Sequence, residues 1–355
     1  HGGADGVPGP HSLSEIMTKR ARVTASLLLL AVAVLGAGCG LVGWEWDTPM
    51  STVQPKSDFG KMTHDIFMLI SWTTLVIFIV VEAVLIYVCF RYRDRPGAPI
   101  PKQTHGHTPL EISWTVAFAV ILVIIGIPTI RVIFKTQEAP AATALHVDVT
   151  GKQWWWDFQY PALKIHTANE LHLPVGQTVA FYLHGPDVIH SFWVPQLGGK
   201  RDVVPARVNR IILTPEVPGE YLGQCAEYCG MSHANMRFRV FVHDKPGWEK
   251  WVAAQQAPPV EPKEDLAVKG KDVFSQSACM GCHTINGLSA GVLGPNLTHF
   301  GSRTTMAAGI MKNTPENVAR WIENPAHVSA AAPMPALGLR DEQIKAVTAY
   351  LQSLK

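Results

Sequence analysis

Residues 225–236 read Cys225-Ala-Glu-Tyr-Cys229-Gly-Met-Ser-His233-Ala-Asn-Met236, placing two thiols, an imidazole and a thioether in one short loop. Soft sulfur combined with imidazole suits copper, iron or zinc and disfavours oxygen-loving ions. A structural zinc site wants four Cys or His ligands and gains nothing from a thioether. A single-copper electron site uses one Cys, two His and a weak Met. Two thiolates bridging two metal ions is therefore the economical reading, and a Cys225–Cys229 disulfide with Met236 as core is the bland one. An upstream imidazole is needed to complete the donor set, and His190 in Val188-Ile-His-Ser-Phe-Trp-Val-Pro195 is the best candidate.

Around this loop the pattern is that of short strands. Alternating segments at Leu145–Val149, Val179–Leu183, Arg210–Leu213 and Arg237–Val242 are separated by turn signals at Pro174-Val-Gly, Gly185-Pro-Asp and Pro218-Gly. Such spacing predicts an all-β sandwich or barrel over 144–252. Residues 253–266, rich in Ala, Gln, Pro and Glu, read as a linker.

Beyond the linker, 267–355 carries helical stretches at Leu266–Ser277, Pro315–Glu323 and Asp341–Leu354, and an all-α domain is expected. Cys279-Met-Gly-Cys282-His283 fits the Cys-x-x-Cys-His attachment motif for c-type haem, with both cysteines bonded to the porphyrin and His283 as axial ligand. No βαβ pattern surrounds it, which argues against a redox Cys-x-x-Cys. For the second axial ligand the chain offers Met306, Met311 and Met334. Pro333-Met334-Pro335 forms a stiff loop before the last helix, so Met334 is preferred, with Met306 and Met311 assigned to surface or packing. His299 is expected at the surface.

Toward the N-terminus, Ile66–Phe90 and Ile112–Phe134 each exceed the ~20 apolar residues needed to cross hydrocarbon. Arg91, Arg93, Arg95 and Lys102 lie between them, so the positive-inside rule makes that loop cytoplasmic. A two-helix transmembrane hairpin (helices about 66–90 and 112–134) within 40–143 is expected, with everything after it outside the cytoplasm. Glu82, deep in the first helix, should face protein. Residues 17–39, with Lys19, Arg20 and Arg22 before Leu27–Leu35 and a Gly-Ala-Gly-Cys39 site, read as an export signal. Lipidation of Cys39 and an uncleaved or ordinarily cleaved signal are both open there, and 1–16 reads as an upstream extension.

The net charge of +2 and the lack of a basic stripe argue against nucleic acid as a partner. Two close cysteine pairs read as ligands or attachment points rather than as a disulfide framework.

His190-Ser-Phe-Trp and Cys-x-Glu-x-Cys-x-x-x-His-x-x-Met resemble the copper-A motif of cytochrome c oxidase subunit II, and the likeness covers Met17 to about Val242. It implies a cupredoxin-like barrel or sandwich holding dinuclear copper A, with Cys225 and Cys229 bridging, His190 and His233 each on one copper, and Met236 as a weak ligand. It further implies that Glu227 gives its backbone carbonyl to copper and its side chain to a magnesium shared with subunit I. The run Gly151-Lys-Gln-Trp154-Trp155-Trp156-Asp-Phe-Gln-Tyr160 also matches, placing the family's electron-receiving Trp at Trp154. Several of those rings must nonetheless be stacked core aromatics.

Leu110-Glu111-Ile-Ser-Trp-Thr resembles the position where a carboxylate admits protons to subunit I, although a helix-end charge reads Glu111 equally simply. Leu293-Gly-Pro-Asn-Leu-Thr-His-Phe-Gly-Ser-Arg303 is similar to the class I cytochrome c domains fused to caa3-type oxidases. The resemblance implies a bacterial inner-membrane subunit that partners subunits I and III and takes electrons from cytochrome c or a bc1-type complex. Rival readings are the copper-A domain of another respiratory reductase such as nitrous oxide reductase, a quinol oxidase subunit II, and a membrane-anchored copper-binding assembly protein. The helical hairpin with the haem motif argues against the first, the copper ligands against the second, and the haem motif against the third.

Overall fold

The structure, a computed structural model, describes residues 48–355; the expected signal segment, the upstream extension and Cys39 lie outside the described residues. Helix α1 (Asp58–Arg91) and helix α2 (Thr108–Gln137) are both long and apolar enough to cross a membrane. At 1.5 Å per residue, α1 is about 50 Å long and overshoots a ~30 Å hydrocarbon layer. The excess lies at its N-terminal end, which is docked on the β domain. Ser57 caps the helix by accepting from Gly60 N–H and donates its hydroxyl to Leu197 O, while Asp58 Oδ1 accepts from Thr214 N–H. Helix α1 therefore begins at Asp58 rather than Ile66, because capping and not hydropathy sets its start. Helix α2 runs through Pro128, and Arg210 caps its other end by donating to the carbonyls of Gln137 and Glu138. Glu82 is half-buried.

Ten strands follow, in two five-stranded sheets. The first holds β1 (Leu145–Lys152), β2 (Trp155–Tyr160), β3 (Ile165–Ala168), β5 (Val179–His184) and β8 (Asn209–Leu213), in the order β3-β2-β1-β5-β8. The second holds β4 (Glu170–Pro174), β6 (His190–Trp193), β7 (Arg201–Val203), β9 (Gly219–Cys225) and β10 (Arg237–His243), in the order β4-β10-β9-β6-β7. The β1–β5 and β4–β10 pairs are parallel, in registers Val147↔Phe181 and Val240↔Leu171. Alternate residues of both sheets meet in one core that includes Val147, Val149, Phe158, Leu171, Phe181 and Val240. The period-2 apolar pattern is what makes that meeting possible. Trp156 is fully buried, with Phe192 and Phe238 at 5.6 and 5.4 Å, so this ring of the aromatic run is core.

Helix α3 (Lys245–Gln256) extends into the segment read as linker. Its Trp248 and Trp251 pack on Tyr160 of β2, and Trp251 also stacks on His172 of β4. The helical region comprises α4 (Asp265–Gln276), the short turn α5 (Cys279–Cys282), α6 (Pro315–Glu323), α7 (Pro325–Val328) and α8 (Asp341–Ser353). Its core holds Phe274, Val318, Ile322, Ile344, Val347, Tyr350 and Leu351. His299, expected at the surface, is only 6% exposed. Its Nε2 lies 3.1 Å from Gln255 O, joining this region to the end of α3. The neighbours of His299 in sequence show no burial period, so only the fold places it inside.

Candidate metal and haem sites

His190 opens β6 and Cys225 closes β9, and the two strands pair with Phe192 opposite Cys225. The β9–β10 loop then returns Cys229, His233 and Met236 to the same point. Cys225 N–H donates to Met236 O and Ala226 N–H to Ser191 O, which closes the loop at both ends. The sulfurs of Cys225 and Cys229 are 3.8 Å apart. His190 Nδ1 lies 4.0 Å from Cys225 Sγ, His233 Nδ1 3.6 Å from Cys229 Sγ, and Met236 Sδ 3.8 Å from Cys229 Sγ. The ligating atoms of His190, Cys225 and Cys229 all fall within 4.8 Å of one another. Nitrogen at ~2.0 Å and sulfur at ~2.3 Å from a common first-row metal, at tetrahedral to trigonal angles, are about 3.5–3.7 Å apart. The donor set thus fits metal bridged by two thiolates with one imidazole at either side. Cys225, Cys229, His190 and Met236 are all buried.

Asp187 was not singled out by sequence reasoning, which saw Gly185-Pro-Asp only as a turn. Its Oδ1 lies 2.8 Å from His190 Nε2 and its Oδ2 accepts from Gln153 N–H at 2.7 Å. With Nε2–H donated to Asp187, His190 turns the lone pair of Nδ1 toward the sulfurs, the tautomer that a metal ligand needs. Burial alone would raise the Asp187 carboxyl, but the His190 ring and the N–H groups of Gln153 and Val188 outweigh it and hold it below the usual range. For His190, burial opposes charge, yet its bonds to Cys225 and Asp187 lift it above the ordinary imidazole value. The two thiols share one proton: hydrogen bonding from Cys229 pulls Cys225 down, and the same bond pushes Cys229 up.

Glu227 presents its backbone and its side chain to different neighbours. Its carbonyl oxygen is 3.2 Å from Cys225 Sγ, while its carboxylate points away, 3.7 Å from Lys200 Nζ. Glu111 accepts from His107 N–H and so caps its own helix.

In the helical region a cavity of about 460 Å³ is lined by Cys279, Cys282, His283, Met334 and Met306 together with apolar side chains such as Leu297, Phe300 and Ile322. His283 Nδ1 donates to Pro295 O at 2.8 Å, leaving Nε2 as the free lone pair. Burial keeps this imidazole below its ordinary pKa, so it is neutral, the form that binds iron. Gly294 has to be glycine: a Cβ there would lie 2.5 Å from His283 Cε1. Arg303 also lines the cavity, and burial pushes its guanidinium down to about 10, still charged at neutral pH. An apolar slot with two thiols, a neutral imidazole, a thioether and a half-buried cation fits a haem with its two carboxylates. Met306 is buried in the wall and Met334 half-buried in its proline loop, whereas Met311 is not part of the lining.

The two sites are close. Trp154, Trp155, Ser232 and Asn235 of the β domain line the same cavity. Trp154 Nε1–H donates to the carbonyl of Cys229 at 3.0 Å, and Gln153 Nε2 does so at 2.7 Å. Trp154 therefore touches both the cavity and the sulfur loop.

A two-helix membrane hairpin, a cupredoxin-like sandwich with a sulfur–imidazole cluster, and a c-type cytochrome domain together define a subunit of a membrane oxidoreductase. Residues 50–132 match the family described as cytochrome c oxidase subunit II, transmembrane domain, 162–242 its periplasmic domain, and 267–355 cytochrome c. The chain is 37% identical over 322 residues to cytochrome c oxidase subunit 2 of Alkalihalophilus pseudofirmus, covering 89% of this chain and 94% of that one. It is 33% identical over 351 residues to the Bacillus subtilis protein of the same name, covering 93% and 97%. Among solved structures, the periplasmic domain of subunit II of cytochrome oxidase from Bradyrhizobium japonicum is 30% identical, with a TM-score of 0.32, covering 34% of this chain and 97% of that one. The chain belongs to the cytochrome c oxidase subunit II family, with a cytochrome c domain fused at its C-terminal side.

Proposed function

We propose that this chain is the subunit II of a caa3-type oxidase, passing electrons from a donor through haem c and a dinuclear copper centre to the haem of subunit I, where oxygen is reduced to water. The single observation that carries the reading is Trp154, which lines the haem cavity and donates to the carbonyl of the bridging-loop Cys229. Copper A and covalent haem c would each supply one-electron redox chemistry with no open coordination position. The chain's residues do the rest. Cys225, Cys229, His190, His233, Met236 and the Glu227 carbonyl hold the copper. Cys279, Cys282 and His283 would hold the haem together with Met334, whose proline-flanked loop also lines the cavity.

The Glu227 carboxylate is assigned to magnesium shared with subunit I, and Glu111 to proton uptake or to helix capping. Subunits I and III cover the apolar faces of α1 and α2. Tyr228 and Met231, 75% and 83% exposed on the copper loop, fit burial against such a partner. Cytochrome c or a bc1-type complex delivers electrons to the haem from outside the bacterial inner membrane.

Electron paramagnetic resonance on the oxidised, copper-loaded fragment 144–355 tests this. We expect hyperfine structure from one electron shared over two coppers, beside a low-spin haem. A mononuclear copper signal would remove the dicopper assignment. Met334→Leu should turn the haem high-spin or lower its potential with the copper spectrum unchanged; an unaltered haem spectrum would move the ligand elsewhere.

A further inference from the structure

Glu170 opens β4 and is 2% exposed. A carboxylate that deep is costly unless its oxygens are satisfied. Its Oε1 accepts from Thr304 N–H at 2.8 Å, Thr304 Oγ1 at 2.7 Å, Thr305 N–H at 2.8 Å and Thr305 Oγ1 at 3.1 Å. All four donors belong to the cytochrome region and the acceptor to the β domain, 134 residues away in the chain. In an undocked chain both halves would be solvated by water, so the bonds add nothing to either domain's own fold. In a docked chain they work in one register only. A slip of one residue along 304–305 would strip the carboxylate of its partners and leave it buried.

That register matters for the relay because both flanking residues reach the haem cavity. Asn169, just before Glu170, lines the cavity, and its Oδ1 accepts from Trp156 N–H at 2.8 Å. Arg303, just before Thr304, lines the same cavity. Fixing Glu170 on Thr304–Thr305 therefore fixes the haem cavity relative to the Trp run.

We propose that Glu170 is a positioning residue for electron transfer: it latches the cytochrome domain in the one register that sets the haem against Trp154. The latch rests on the relay reading above and adds to it a docked domain rather than one swinging on its linker. Transfer then occurs from a fixed geometry, and its rate follows the docked population.

The test uses the purified oxidase with Glu170→Ala and Glu170→Gln in this chain, reading two quantities. One is hydrogen exchange at the Thr304 and Thr305 amides, both of which donate to Glu170. The other is the haem-to-copper electron-transfer rate after a light-triggered reductant. Charged-acceptor bonds of this kind predict exchange at 304–305 faster by about tenfold or more in Glu170→Ala. The transfer rate should fall with the docked population by about tenfold, with both metal spectra intact. Glu170→Gln keeps an acceptor oxygen and should stay within about threefold of the parent. Parent-like exchange and rate in Glu170→Ala would overturn the proposal. So would deprotection spreading through β1 and α8 in both variants, which would make Glu170 a fold residue instead. Absence of a dicopper or haem c signal in the parent would sink the relay reading alone, since the exchange arm reports the latch without it.

Discussion

At the scale of single residues, the donors of the candidate copper site were legible and their supports were not. Cys225, Cys229, His233 and Met236 sit in one loop, so spacing alone brought them together. Asp187 and Gln153 are 34 residues apart, and only the fold makes them one hydrogen-bonded chain with His190. Asp187→Asn keeps the shape but loses the charge that orients the His190 ring. Loss of such an outer partner costs about 10–100-fold in metal affinity. We therefore expect Asp187→Asn to lose copper to a chelator at a 10–100-fold lower chelator concentration than the parent, with haem content unchanged. Equal copper retention would mean that Asp187 only ties the loop to Gln153. The same reasoning applies to His299, whose ring meets the carbonyl of Gln255 in another element.

At the scale of elements, hydropathy found both membrane helices and period-2 alternation found the sandwich, since each is a local pattern. Helix ends were less visible. The first two turns of α1 are polar enough to escape a hydropathy reading, and Ser57 with Asp58 marks the start only once Leu197 and Thr214 are beside them. Helix α3 was hidden for a similar reason, because an Ala- and Gln-rich stretch reads as linker until Trp248 and Trp251 find Tyr160. The crossing of α4 and α8 is equally invisible in sequence, although it depends on one residue. A Cβ on Gly270 would fall 1.9 Å from Ala346 O and 2.9 Å from Tyr350 Cβ, so the helices would have to separate. Overpacking of this kind typically costs about 1–3 kcal/mol and more where backbone must move. Gly270→Ala should lower the stability of the cytochrome domain by about 3 kcal/mol in denaturant titration. An unchanged midpoint would show that the crossing yields without cost.

For the whole molecule, the contacts that join domains lie far apart in sequence, and one of them links stability to pH. His172 of β4 and His243 of β10 meet with Nδ1 and Nε2 2.8 Å apart, one ring donating and the other accepting. Trp251 of α3 stacks on His172 at 4.4 Å, and α3 ends at the residue next to Gln255, the partner of His299 in the cytochrome domain. Burial first, then the neighbouring His243 and Arg303, hold His172 well below the ordinary imidazole value; burial also lowers His243, against the pull of Asp244. The unfolded chain, with imidazoles near 6.5, binds protons in a range where the folded chain does not. Stability is therefore full above about pH 6.5 and is lost as pH falls from there toward the depressed folded values, by at most about 1.4 kcal/mol per pH unit for each proton. The guanidinium midpoint of fragment 144–355 should stay level between about pH 8 and 7 and drop between about 6.5 and 5.5, above the range where carboxylates titrate. His172→Gln keeps a hydrogen-bonding side chain but cannot take up a proton, so its midpoint should fall less steeply over that window. Parallel curves for the two proteins would show that His172 carries no linkage and that the acid sensitivity lies in the other histidines that burial holds low, His243 and His299.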